Sequence, residues 1–336
     1  MVSITKIALA TGVSRTAVSF ILNGKARELR LADETVKKVL AYCESVGYAP
    51  NIHARRMRSK FAANILVLLN HGRNNGEVNP FSDYNAAMMA GGIANAAERA
   101  NYTFKVVTGD PAASGEQIFK SLRSRESDGL IVYGSPLLPE WVDRFGREGR
   151  AAVEIGTVRN DCVSAVGVGH AELSRQLTAQ VLTRGRRNFL YLSGGIAGGI
   201  GGERYRGFCQ ALADAGLDPE AVPVSEANYS EARAYEIARE LAAAKLPDAI
   251  VCANDYMAIG VLRALRERGI DVPSQISVTG GDNVAAARYV SPGLSTFDNR
   301  PQQLGEKAFE VLMGMLAGEA PGNYRIESEI VLRESI

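Results

Sequence analysis

The sequence predicts a small all-α head of helix-turn-helix type, followed by a larger α/β region whose two lobes are built on doubly wound parallel sheets. Three observations predict this fold class. The first 50 residues carry three short helical periodicities, whereas strand-length apolar runs alternate with helical segments after residue 60. Positive charge is concentrated in the head. The 336 residues also suffice for two or three folding units, since a domain typically takes ~100–200 residues.

Charge is divided unevenly along the chain. Residues 1–60 contain eleven Lys or Arg and four Asp or Glu, a balance of +7, while the remaining 276 residues contain 27 and 33, a balance of −6. A basic head on a mildly acidic body is expected when only the head meets a polyanion. The alternative is that cations cluster by chance on a solvated surface.

Membrane and secreted classes are disfavoured by the sequence. No apolar run reaches the ~18–20 residues of a membrane span, and the first residues lack the basic lead, apolar stretch and cleavage site of a secretory signal. The four cysteines lie far apart without C-x-x-C spacing, as is typical of reduced thiols. We therefore expect a cytoplasmic protein without a membrane partner.

The head predicts three helices. Ser3 is a candidate N-cap for the first helix, Gly12 permits the positive φ of a tight turn, and Ser14 caps a second helix from Arg15 to Leu22. A third amphipathic helix is predicted from Thr35 to Val46. The inward positions are predicted to be Ala17, Val18, Ile21 and Leu22 in the second helix and Val36, Val39, Leu40 and Cys43 in the third; Arg15, Thr16, Ser19 and Phe20 are predicted to be exposed.

Two short helices around a glycine turn form a helix-turn-helix, whose second helix enters the major groove of DNA by its N-terminal residues. Alone this pattern is weak, because many unrelated domains contain it. Together with the basic balance and the third helix, it predicts binding to double-stranded DNA.

The segment after the head is strongly basic. Residues 51–60 contain four cations, which on charge alone could be a solvated linker. His53 is one of only three histidines, with His71 and His170, so no metal site is predicted there.

The body alternates strands with helices. Apolar runs such as 65–69, 129–133, 189–192 and 249–252 are separated by helical segments, which predicts parallel sheets covered on both faces. Six or more strands on each side of residue 170 are too many for one compact sheet, so two lobes are predicted. Ligands of such sheets bind beyond the carboxyl ends of the strands.

The head residues resemble the lactose/galactose repressor (LacI/GalR) family. The resemblance rests on residues 4–24, ITKIALATGVSRTAVSFILNG, and on Val46-Gly47-Tyr48-Ala49-Pro50-Asn51. It implies that Arg15 and Thr16 read base edges and that Ser14, Ser19 and Asn23 hold phosphates. Phe20 departs from the family's usual arginine and offers an apolar surface to a thymine methyl group instead. The turn from Lys25 to Leu31 is about three residues longer than usual.

The same resemblance makes residues 51–60 a hinge helix, which orders when two copies meet in the minor groove. Met57 is then the apolar wedge between base steps, and Arg55, Arg56, Arg58 and Lys60 neutralise the backbone. The DNA contacts implied for this segment are Asn51, Ala54, Arg55, Met57 and Arg58.

The body resembles the family's effector domain, which has the periplasmic-binding-protein fold. The motifs are Asn79-Pro80-Phe81, Asp128-Gly129-Leu130-Ile131, residues 204–208, residues 253–260 and residues 276–282. The implied domains are residues 1–50 for the head, 51–60 for the hinge and 61–336 for the effector domain. The chain is expected to cross between lobes near 160, 292 and 324, which gives a first lobe of 61–160 and 293–323 and a second of 161–292 and 324–336.

The resemblance places effector contacts on Phe81, Gly156, Arg204, Tyr229, Asn254 and Asp282. Asp and Asn pair with vicinal hydroxyls, Arg bridges two oxygens, and an aromatic ring covers the C–H face of a sugar. The alternatives are that Asn254 only caps a helix and that Arg204 forms an interlobe ion pair. Gly156 stands where sugar-sensing relatives often carry aspartate, which leaves room for a larger or oxidised sugar, or another metabolite. His170 is expected to be a packed or interlobe residue.

Motifs for catalysis are missing from the sequence. The glycine-rich loop 193–202 has no G-x-G-x-x-G spacing, and neither G-x-x-x-x-G-K-[ST], H-E-x-x-H nor G-x-S-x-G occurs. We therefore expect no enzyme and no cofactor, but a homodimeric DNA-binding regulator that responds to a sugar-like effector on a pseudo-palindromic operator. The alternatives are a solute-binding protein with the same lobes and a nucleotide-dependent oxidoreductase.

Overall fold

The computed structural model describes residues 2–48, 61–69, 79–108, 111–134, 137–156, 161–241 and 246–336. The chain divides into two compact units, Met1–Ala62 and Ala63–Ile336, which correspond to the head and the body. The predicted hinge at 51–60 lies outside the described residues. None of the described helices has the length and hydropathy that a membrane span requires.

The head contains the three predicted helices: α1 Ile4–Thr11, α2 Arg15–Leu22 and α3 Asp33–Ser45. Ser3 caps α1, Ser14 caps α2, and Gly12 between them has φ 67°. These are the positions that the sequence indicated, because short polar side chains satisfy the free amides of a first turn and glycine tolerates the left-handed region. The fully enclosed core residues come from all three helices: Ile7, Val18 and Val39.

Several details of the head differ from prediction. Ser19 and Phe20 were expected to be exposed but are partly buried. Leu40 was expected to face inward but is 47% exposed, because it lies at the edge of the buried face that Val39 and Cys43 define. Leu22 is only partly buried. The long turn after α2 contains a 3₁₀ helix, Ala26–Leu29, which closes with Arg30 in the left-handed region.

The first lobe of the body is a six-stranded parallel sheet in the order β2-β1-β3-β4-β5-β11. Its strands are β1 Asn64–Leu69, β2 Thr103–Thr108, β3 Gly129–Tyr133, β4 Ala151–Ile155, β5 Ser164–Gly167 and β11 Asn323–Arg325. Central strands such as β3 and β4 are buried at every position, as expected for a sheet covered on both faces.

Helices on both faces enclose this sheet. They are α4 Tyr84–Arg99, α5 Pro111–Arg123, α6 Pro139–Glu148 and α11 Pro301–Ala317. Helices α4 and α11 pack with the side chains of Ile65, Val67 and Ile131, whereas α5 and α6 cover the opposite face. Gly92 and Gly305 let α4 and α11 approach closely: a Cβ on Gly92 would lie 2.1 Å from Gln302 O, and one on Gly305 2.1 Å from Met89 O.

The second lobe is a four-stranded parallel sheet in the order β7-β6-β8-β9. Its strands are β6 Phe189–Ser193, β7 Val224–Glu226, β8 Ala249–Cys252 and β9 Ser277–Thr279. Its α-helices are α7 His170–Thr183, α8 Gly199–Asp214, α9 Glu231–Glu240 and α10 Asp255–Glu267. The end of the sequence completes this lobe, because Val278 N donates to Ser335 O at 2.9 Å and Ile336 joins the core.

The crossings between lobes lie later than predicted. Residues 164–167 and 323–325 pair as strands of the first sheet, so the expected boundaries at 160 and 324 are wrong. Leu294 belongs to the second core and Phe297 to the first, which moves the middle crossing from 292 to between residues 294 and 297. At the last crossing a short antiparallel pair joins β10 Thr296–Phe297 to β12 Ile330–Val331.

Candidate functional site

A buried ion pair lies where the second lobe meets the crossing segment. Asp282 follows β9 and Arg204 projects from α8, and Arg204 Nη2 donates to Asp282 Oδ1 at 2.9 Å. Both side chains are at most 5% exposed. Arg204 Nη1 also donates to the carbonyl of Ala253 at the end of β8. The sequence named both residues, and the fold brings them together across 78 positions.

Asp282 also connects the two lobes. Asn85, in the first turn of α4, donates from Nδ2 to Asp282 Oδ1 at 3.0 Å, and Asn299 at the middle crossing donates to the same oxygen. The Asp282 amide donates to Thr296 Oγ1 at 3.1 Å. One carboxylate oxygen therefore collects donors from both lobes and from the segment between them.

Asn85 and Asn299 were not predicted from the sequence. A signal existed for Asn85, because it shares a helical face with Met89 and Gly92, which are buried, and a polar residue on an apolar face requires a partner. Asn299 lies in an irregular segment, where periodicity gives no information.

Three polar atoms in this network have no partner within the described residues: Asn85 Oδ1, Asn299 Oδ1 and Arg204 Nε. All three residues are more than nine-tenths buried. Buried polar groups are almost always hydrogen-bonded, so these atoms mark a place where a further polar molecule would be favoured.

Asp255 lies beside this network in the first position of α10. Its Oδ1 accepts from Thr296 Oγ1 at 2.6 Å and its Oδ2 from Val284 N at 2.9 Å. Burial, followed by the charge of Asp282, raises the pKa of Asp255 to about 7. Burial likewise raises the pKa of Asp282, although the guanidinium of Arg204 opposes that rise.

Asn254 takes the capping geometry that was kept as an alternative. Its Oδ1 accepts from Met257 N at 2.9 Å, and it is the N-cap of α10. The side-chain oxygen is therefore already engaged by the protein.

Tyr229 covers the glycine-rich loop. A Cβ on Gly194 would lie 2.3 Å from the Tyr229 ring, and one on Gly201 2.7 Å from its hydroxyl, so glycine is required at both positions. Tyr229 itself has φ 58° and stays 37% exposed. The loop thus serves to seat this ring.

Phe81 and Gly156 lie outside the hydrogen-bond network. Phe81 is 51% exposed in the short 3₁₀ helix before α4. Gly156 lines a separate groove of about 530 Å³ together with Glu172, Arg206 and Arg325.

A carboxyl group that the sequence analysis did not name lies next to Gly156. Glu154 is 7% exposed, its Oε2 accepts from Leu137 N at 3.1 Å, and its Oε1 would be 3.8 Å from a Cβ on Gly156. Burial raises the pKa of Glu154 to about 7.

His170 is packed, as expected. Its ring contacts Phe297 edge to face, with centroids 6.4 Å apart, and it is 3% exposed. Burial and the charge of Arg204 lower its pKa.

In the head, the residues expected to contact DNA gather at and along α2. Arg15 and Thr16 are exposed at its start, beside the cap Ser14, whose Oγ accepts from Ala17 N at 3.2 Å. At its end, Asn23 Nδ2 donates to Ser19 O at 2.7 Å. Phe20 is half-buried between these groups. The remaining expected contacts, Asn51, Ala54, Arg55, Met57 and Arg58, lie outside the described residues.

Comparison with known families identifies both parts of the chain. Residues 3–51 match the family described as bacterial regulatory proteins, lacI family, and residues 178–336 match the periplasmic binding protein-like domain.

Curated relatives extend over the whole chain. The HTH-type transcriptional repressor PurR of Vibrio parahaemolyticus is 29% identical over 346 residues, covering 100% of this chain and 99% of the relative. PurR of Yersinia pestis is 28% identical, covering 100% and 97%.

Solved structures show the same fold. The lac repressor dimer bound to operator and the anti-inducer ONPF has a TM-score of 0.85 at 21% identity, covering 99% of this chain and 98% of that one. The transcriptional regulator CelR in complex with cellobiose has a TM-score of 0.72 at 23% identity, covering 100% of both chains.

Proposed function

Because the chain belongs to the lacI family of bacterial regulatory proteins, we propose that it represses transcription and that a small polar effector, bound beside Asp282 and Arg204, controls its affinity for operator DNA. The chain is a regulator rather than an enzyme. The observation that carries the effector proposal is the buried Asp282–Arg204 pair: Asn85 of the first lobe donates to the same Asp282 oxygen, and three neighbouring polar atoms lack partners among the described residues.

On the DNA side, α2 is the proposed recognition helix. Arg15 and Thr16 would read base edges, and Ser14, Ser19 and Asn23 would hold phosphates, with Phe20 against a thymine methyl group. The exposure of Arg15 and Thr16 and the +7 balance of residues 1–60 support this assignment. For residues 51–60 we keep the proposal of a minor-groove hinge with Met57 as wedge.

The effector is proposed to be a carbohydrate or a related hydroxylated metabolite. An acidic and a guanidinium group side by side, with the Tyr229 ring near them, suit a polyol. Asn254 and Phe81 are proposed to contact the effector if it is large enough to reach them. Gly156 is proposed to lie at the edge of the site. The PurR relatives favour a purine as second candidate.

Assembly and place of action follow from this function. One helix-turn-helix head covers only half of a palindromic operator, so we propose a homodimer acting on DNA in the cytoplasm. The proposed domains are a head of residues 1–50, a hinge of 51–60 and an effector domain of 61–336.

The decisive experiment couples the two sites. An operator is first selected from random duplexes, and a panel of metabolites is screened by thermal shift against the full chain. We expect a hit to change operator affinity by about 5–150-fold, the range of typical allosteric coupling. A metabolite that binds the body tightly yet leaves operator affinity unchanged would overturn the proposal.

A further inference from the structure

Asn85 connects the two lobes through a buried hydrogen bond to Asp282. It is on α4 of the first lobe and 6% exposed, and its Nδ2 donates to Asp282 Oδ1, 197 residues away in sequence. Its carbonyl oxygen is buried without a donor among the described residues. The NH₂ group of Asn85 is therefore used within the protein, while its carbonyl oxygen can still accept a hydrogen bond.

Asn299 repeats this arrangement from the crossing segment. It is 3% exposed and donates to the same Asp282 oxygen, and its own carbonyl oxygen also lacks a partner in the described part of the chain. Two amides therefore fix their NH₂ groups on one carboxylate oxygen, which leaves two carbonyl oxygens as acceptors beside it. A molecule between the lobes satisfies both only if it brings hydrogen-bond donors.

The charges around Asp282 select further among such molecules. Its neighbours include one arginine and two further carboxyl groups, Arg204, Asp83 and Asp255. Asp83 caps α4, where its Oδ1 accepts from Ala86 N at 2.7 Å. The charge of Arg204 is balanced by Asp282, although Arg204 Nε still has a hydrogen to donate, so an anionic ligand would meet the further carboxylates of Asp83 and Asp255 without a second cation.

We propose that Asn85 and Asn299 bind the effector through their carbonyl oxygens, and that the effector is an uncharged molecule with at least two hydrogen-bond donors. This inference rests on the proposed function, since it names the chemical class that the same site accepts. It excludes phosphorylated and oxidised sugars and admits neutral polyols and neutral purine bases.

The test measures binding to the full chain by isothermal titration calorimetry. The probes are cellobiose, D-glucose and hypoxanthine as uncharged molecules, and D-glucose 6-phosphate and D-glucuronate as anionic counterparts. At least one uncharged probe is expected to bind, and an anionic counterpart is expected to bind about tenfold more weakly or worse.

The variants then isolate Asn85. Asn85→Leu has the same branching and number of heavy atoms but no acceptor, and is expected to weaken the affinity for the bound probe about tenfold or more. Asn95→Leu, an exposed asparagine on the same helix, is the matched control and should leave affinity unchanged. Should Asn85→Leu fail to fold by circular dichroism, Asn85→Ala removes the same acceptor with a smaller side chain and is expected to weaken binding as well.

The outcomes distinguish a failure of this inference from a failure of the proposed function. An uncharged probe that binds Asn85→Leu or Asn85→Ala as tightly as the wild type overturns this inference and leaves the proposed function standing. So does an anionic probe that binds more tightly than its neutral counterpart. If neither these probes nor the metabolite panel bind the wild type, the proposed function itself fails, and the inference with it.

Discussion

At the scale of single residues, Glu154 is the clearest electrostatic outlier of the first lobe. Its carboxyl group is 7% exposed and receives one backbone hydrogen bond, and burial raises its pKa to about 7. The folded state thus holds this proton at pH values where an unfolded glutamate has lost it. Because the folded state disfavours the ionised carboxylate of Glu154, the free energy of unfolding decreases as the pH rises.

We predict that Glu154→Gln gains stability over the wild type as the pH rises. The raised carboxyl pKa means that the wild type loses stability between about pH 4.5 and 7, by up to about 3 kcal/mol, whereas a glutamine does not titrate. Urea denaturation at pH 5 and pH 8 measures the difference.

Glu148→Gln is the matched control for this measurement. Hydrogen bonds from Arg123 and Arg144 lower the pKa of Glu148 to about 2, so its effect should be the same at pH 5 and pH 8. A Glu154→Gln effect that is equally independent of pH would contradict the assignment.

Single residues also show how much of the site could be predicted from the sequence. Arg204 and Asp282 were expected from motifs, and the structure pairs them. Asn254 was predicted as a contact with capping as the alternative, and its oxygen caps α10. The helical face of Asn85 indicated that it needs a partner, but that partner is 197 residues distant, and a single sequence carries no signal of which residue it is.

At the scale of elements, the contact between α4 and α11 depends on two glycines. Gly92 and Gly305 each face a backbone carbonyl of the other helix, at distances where no Cβ fits. Gly91, next to Gly92, is exposed and has nothing within 4 Å of its Cβ position. Neighbouring positions of one helix therefore tolerate side chains very differently.

We predict opposite effects of the two alanine substitutions. Gly92→Ala should destabilise the protein by roughly 1–3 kcal/mol, because the backbones of α4 and α11 must separate. Gly91→Ala should stabilise it by about 0.5–1 kcal/mol, because alanine favours the helix. Thermal unfolding of both variants compares them, and equal midpoints would refute the close-approach argument.

Elements with strong local signals were predicted well and weak ones were not. The caps Ser3 and Ser14 marked the starts of α1 and α2. The edge strand β11 is only Asn-Tyr-Arg, without an apolar run, so its place in the first sheet could not be seen and the last crossing was set too early.

At the scale of the whole molecule, the division of charge separates the two functions along the chain. Residues 1–60 carry the balance of +7, and the acidic body carries −6. An acidic body is repelled by phosphates, so DNA affinity should depend on few cations, each with a defined role.

We predict that Arg15→Ala changes the sequence specificity of DNA binding, whereas Arg58→Ala changes the affinity for DNA of any sequence. Arg15→Ala should relax specificity at one or two operator positions, whereas Arg58→Ala should weaken binding to every duplex and reduce the slope of log affinity against log salt by about one. Titrations of operator and random duplexes at several salt concentrations measure both. Equal losses on all sequences from both substitutions would argue against this division of roles.

The interleaved path of the body has a consequence for its synthesis. Residues 323–325 are needed to finish the first sheet, and Ser335 and Ile336 complete the second core. While the ribosome is still making this chain, neither lobe has all of its parts, although the head has emerged long before. The head can therefore fold on a nascent chain whose two body lobes still lack residues 323–325 and 335–336, and both lobes are completed by the same short stretch of sequence.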